Sequence, residues 1–128
     1  MILLKKQHVA RNPVARAIAR EQLRVAMLDM RINLMMMEDG EDCKEAILTI
    51  SDGIFVVAAC YEMLGQQEMV EFRKLRSAMN ILTHCSETGF RWKREWAITV
   101  DNAIDICSAN WSKIPSLTFQ RAVKTILG

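Results

Sequence analysis

No catalytic signature runs through these 128 residues. There is no Gly-x-Ser-x-Gly elbow to present a nucleophile and no glycine-rich loop to cradle a phosphate. Cys43, Cys60, Cys85 and Cys107 form no Cys-x-x-Cys pair. Neither they nor His8 and His84 have the spacing of zinc ligands, and the Glu-x-x-His motif of di-iron bundles is missing. His84 and Cys85 are adjacent, so a helix would send them to different faces. Asp101 and Asp105 are four apart and would share a face, where two carboxylates can split their pKa values. No His or Lys at helical spacing supports them, and they read as a solvated surface. The expectation is a non-enzyme with no metal and no cofactor.

A large net charge is also missing. The net charge is +2, too small to demand a nucleic-acid partner. The apolar start Met1–Leu4 is too short for a signal core, and no uncharged run has the length of a membrane span. Cysteines without a disulfide framework suit a reducing compartment. These absences point to a cytoplasmic protein, from a bacterium or a mobile element. Aromatic residues make up 6% of the chain, whereas methionine alone occurs nine times. Methionine fills irregular core gaps and suits adaptable binding surfaces.

Helical periodicity is what the chain does have. The expected fold is all-α, a single-domain bundle of four long helices and a short C-terminal one over residues 12–128, preceded by an arm over residues 1–11. The arm could dock through Ile2, Leu3 and Leu4. Asn12 and Pro13 form an N-terminal helix signal. Helix 1 then runs to about residue 38, ended by Gly40 as a left-handed cap. It carries two apolar stripes. One is Leu23, Met27, Met30, Leu34 and Met37; the other is Ile18, Val25, Leu28, Ile32 and Met35. A helix of this kind needs cover on two sides, so it is expected to organise the rest of the chain.

Helix 2 is expected from Asp42 to Leu64, with a seam of Ile47, Ile50, Ile54, Val57, Tyr61 and Leu64 at spacings of three and four. A hairpin turning at Asp52-Gly53 is the rival, but Phe55 to Ala59 does not alternate as a half-buried strand should. Gly53 then sits mid-helix and can mark a close helix crossing. Helix 3 is expected over 67–86, with Phe72, Leu75, Met79 and Leu82 inward. Helix 4 is expected from Arg91 to Trp111, its inward stripe being Trp92, Trp96, Val100, Ala103, Cys107 and Trp111. Helix 5 follows Pro115, capped by Ser116. Helix 4, Pro115 and helix 5 outline a helix-turn-helix, but Arg121 and Lys124 are the second helix's only cations, poor for reading a groove.

Two function classes remain. The first is a non-catalytic protein-interaction module, a regulator, adaptor or inhibitor that occupies a surface on a macromolecular partner. Its expected interface is the strip Met27, Met30, Leu34, Met35, Met36 and Met37, which would also join two copies as a homodimer. The second class is a nucleic-acid binder using the basic stripe Lys5, Lys6, Arg11, Arg16, Arg20 and Arg24, at i+4 spacing over its last three members. A smaller basic patch, Arg91, Lys93 and Arg94, interleaves with Trp92 and Trp96. An acidic run, Glu38, Asp39, Glu41, Asp42 and Glu45, sits between helices 1 and 2.

Overall fold

A computed structural model describes residues 13–128, with side-chain surroundings described from residue 24 onward except at 26. Five α-helices follow one another: α1 (Pro13–Met36), α2 (Lys44–Met63), α3 (Val70–Glu87), α4 (Ala97–Asn110) and α5 (Ser116–Leu127). Short 3-10 turns, Arg94–Trp96 and Trp111–Lys113, flank α4. The all-α expectation holds, and the described residues contain no strand. The arm over residues 1–11 and the Asn12 cap lie outside the described residues.

The central helix is α2, not α1. It packs against α1, α3, α4 and α5. Ten of its residues are buried, among them Ile47, Ile50, Ile54, Val57 and Tyr61 of the expected seam. Leu64 lies just past the helix and is exposed. The reason is composition. From Gly53 to Tyr61 the helix has no charge, and small residues (Gly53, Ala58, Ala59, Cys60) let neighbours approach from several sides. This also makes α2 the one described helix long and apolar enough to cross a membrane, although more than half of it is buried within the bundle. At Gly53 the approach is closest. A Cβ there would collide with Met30 Sδ and lie 2.8 Å from Met30 Cε, so the buried Met30 of α1 occupies the space that a side chain at 53 would need.

Helix ends follow the glycines with one shift. Gly65 and Gly89 both have positive φ one residue past the caps of α2 and α3. Gln66 N–H donates to Tyr61 O (2.8 Å) and Phe90 N–H to Cys85 O (2.9 Å), the long hydrogen bond of a Schellman ending. Gly40 is also left-handed, but α1 has already stopped at Met36. Gly40 belongs to the turn that follows.

That turn explains the largest departure from expectation. Residues 91–96 do not begin α4. Phe90 has φ +60, and the chain then runs extended, antiparallel to the α1–α2 turn. Gly40 N–H donates to Trp92 O (2.7 Å), Trp92 N–H to Glu41 O (3.1 Å) and Cys43 N–H to Phe90 O (2.9 Å). The backbone donors that a helix would have satisfied internally are satisfied across this bridge. Trp92 is therefore buried from a loop, next to the half-buried Trp96, with ring centroids 5.7 Å apart and nearly perpendicular. Within α4, Val100, Ala103 and Cys107 are buried as expected. In α5 the helix starts at Ser116 itself, after Pro115, and Phe119, Ala122 and Val123 face inward.

Candidate interaction face

On α1 the two stripes part. Met27, Met30 and Leu34 are buried against the bundle. At 100° per residue, Val25, Leu28, Ile32, Met35 and Met36 project from roughly the opposite side, and all five are exposed, Met35 at 80% and Met36 at 75%. Of the expected interface strip, then, Met27, Met30 and Leu34 are core, Met37 is half-buried against the core, and only Met35 and Met36 reach the surface. Periodicity revealed two stripes. Which one α2 would cover depended on the gap left by Gly53, which admits Met30.

The exposed stripe ends in a groove of about 640 Å³ between the C-terminal half of α1 and the start of α4. Its floor and walls are largely apolar: Leu34, Met35, Met37, Trp92, Ala97 and Ile98, the last 72% exposed. Arg31, Arg94 and Asp101 supply the polar rim. Ile98, in the first turn of α4, lines the groove opposite the C-terminal half of α1. Had the helix started at Arg91, the Trp92 ring would have left from α4 rather than from the loop.

The rim is electrostatically closed. The Arg31 guanidinium donates to Asp101 (2.7 Å) through one nitrogen and to Asp105 through the other. The i,i+4 carboxylates of α4 thus share a face as expected, and their counter-charge comes from α1. This forked geometry suits arginine. His84, exposed on α3, lies edge-on to Trp96 instead, at 5.9 Å between ring centroids. Among the described residues no three His, Cys, Asp or Glu side chains converge as a metal site. None of the four cysteines forms a disulfide; Cys60, Cys85 and Cys107 are buried and Cys43 is half-buried. Burial pushes the Cys107 thiol up to about 12 and raises Cys85, away from reactive thiolate.

Lys5, Lys6 and Arg11 lie outside the described residues, as do the side chains of Arg16 and Arg20 on α1. Arg24 is exposed. The smaller patch meets the acidic run across the turn bridge. Arg91 donates to Gly40 O (3.2 Å), Asp39 Oδ1 accepts the backbone N–H of Arg94 (2.9 Å), and Lys93 lies over the Trp96 ring at 5.6 Å. Comparison of the chain with protein-family models, with curated proteins and with solved structures returns no match.

Proposed function

We propose that the protein is a non-catalytic interaction module, a regulator, adaptor or inhibitor that works by seating a macromolecular partner on the α1–α4 face. One observation carries this reading: Val25, Leu28, Ile32, Met35 and Met36 along α1 and Ile98 across the groove are all exposed, outside the buried core. Clusters of exposed apolar side chains mark interaction sites. The flexible Met35 and Met36 side chains allow the surface to conform to what it meets. At the groove mouth Arg31 and Asp101 already satisfy each other, so charge would supply little of the affinity. A phosphate-binding reading gains nothing from the Arg91–Arg94 patch, whose cations are interleaved with Asp39, Asp42 and Glu95.

The test uses Ile98→Lys, which alters the α4 side of the face and leaves α1 untouched. Affinity-tagged wild type and variant are compared for recovery of proteins from the native host. A partner recovered by the wild type and lost, or weakened at least about tenfold, by the variant is the expected result. Equal recovery by both would remove the groove from the proposal.

A further inference from the structure

The exposed face of α1 has a register as well as a polarity. Val25, Leu28, Ile32 and Met35 are separated by three, four and three residues, the a and d positions of two successive heptads. β-branched residues occupy both a positions and unbranched or γ-branched residues both d positions. This is the side-chain choice that favours two parallel strands over higher assemblies. All four side chains are exposed, and the opposite side of the helix is fixed to the bundle through Met27, Met30 and Leu34. The seam can therefore meet another helix without disturbing the fold.

The flanks choose the orientation. Arg24 and Arg31 occupy the g positions and Asp29 an e position. In a parallel pair each g position faces the e position five residues on in the other strand, which sets Arg24 beside the partner's Asp29. In an antiparallel pair each flank faces its own copy and Arg24 loses that partner, whereas Arg31 stays with Asp101 and Asp105 of its own chain in either orientation. We propose that the seam of Val25, Leu28, Ile32 and Met35 on α1 joins two copies of this chain as a parallel, twofold-symmetric homodimer.

The proposal rests on the reading of this face as an interaction surface and names its occupant along α1. A twofold axis running along the seam puts the two bundles on opposite outer sides of a central helix pair, because each α1 buries the side away from the seam. Ile98, beside Met35 across the groove, widens the contact at its C-terminal end. Two heptads make a short seam, so the dimer should form in the micromolar range rather than below it.

Sedimentation equilibrium from low to high micromolar concentration decides the stoichiometry, and two cysteine variants decide the geometry. Wild type should approach dimer mass at the upper end. Ile32→Lys, which sets two like charges against each other on the seam, should raise the dissociation constant at least about tenfold with an unchanged helical circular dichroism spectrum. Leu28→Glu should do the same and serves if Ile32→Lys misfolds. Under oxidised glutathione, Val25→Cys and Ile32→Cys should each form a disulfide with its own copy, because only a parallel in-register pair brings both positions to themselves. A monomer at high micromolar concentration, a dimer indifferent to both seam charges, or self-crosslinking at fewer than both positions would overturn the proposal. If the wild type is monomeric but Ile98→Lys still costs it a host protein, the interaction face survives with a different occupant. If both tests fail, neither reading stands.

Discussion

Cys107 shows how one side chain records its surroundings. Burial on α4 pushes its thiol from an ordinary 9.0 to about 12, and the neighbouring Cys60 adds to the effect. Below pH 9 both folded and unfolded chains carry the proton, and the contribution is fully present. Above it the unfolded chain ionises while the folded one does not, so stability falls as pH rises toward 12. Tyr61 and Cys85, both raised chiefly by burial, act in the same direction. A single such group supplies a slope of roughly 1.4 kcal/mol per pH unit. Urea midpoints measured across the alkaline range should decline less steeply for Cys107→Ala than for wild type. Parallel slopes would place the thiol in a more solvated site than the fold gives it. The opposite extreme is Cys43, half-buried at the start of α2, which should be the first of the four to react with a thiol reagent.

Between elements, the tightest relation is that of Gly53 on α2 with Met30 on α1. Alanine at 53 gains up to about 1 kcal/mol of helix propensity, but its Cβ must displace a fully buried thioether. Overpacking of this kind costs about 1–3 kcal/mol. Gly53→Ala should therefore be neutral to destabilising alone and stabilising in a Met30→Ala background, where the propensity gain remains and the clash is gone. Gly53→Leu should cost about 3 kcal/mol or more. A double-mutant cycle by chemical denaturation measures the coupling, and additive effects would mean that the helices do not cross here. The same pair shows what the sequence made legible. A glycine inside an apolar helical run announced a close approach, but not which helix arrived or by which of its stripes. Val25, Leu28 and Ile32 were visible as a stripe, yet Met27, Met30 and Leu34 looked equally suited to the surface. For α4, Trp92 and Trp96 are four apart, which imitates helical spacing although the first belongs to a loop. The contrary sign was charge. Acidic residues at 38–45 and basic ones at 91–94 are complementary segments about fifty residues apart, but a single sequence offers no rule that brings them together. Likewise Asp101 and Asp105 had no cation on their own helix, and the one that neutralises them stands on α1.

At the scale of the whole molecule, the bundle has an inner economy that leaves α1 half used. α2 takes the centre, α4 meets α1, α2 and α3, and α1 gives one stripe to the core and offers another to solvent. The element that sequence periodicity marks as the organiser is a peripheral helix whose second stripe remains available for assembly.

The bridge between the two turns has a kinetic meaning as well. Gly40 and Trp92 are fifty-two positions apart, and the hydrogen bond between them closes a loop containing all of α2 and α3. Closing a loop of that length costs chain entropy before any contact returns it. The bridge should therefore form only when both intervening helices are already docked, and open only when they come apart. Its amides become reporters of the global event. Native-state hydrogen exchange at Gly40, Cys43 and Trp92 should run at the rate set by whole-molecule unfolding, and should follow denaturant with the full unfolding slope. The amides of Thr88 and Gly65, held only by local turn bonds, should exchange through small fluctuations instead. Two turns at the surface would then serve as the clasp by which the chain registers that it has finished folding.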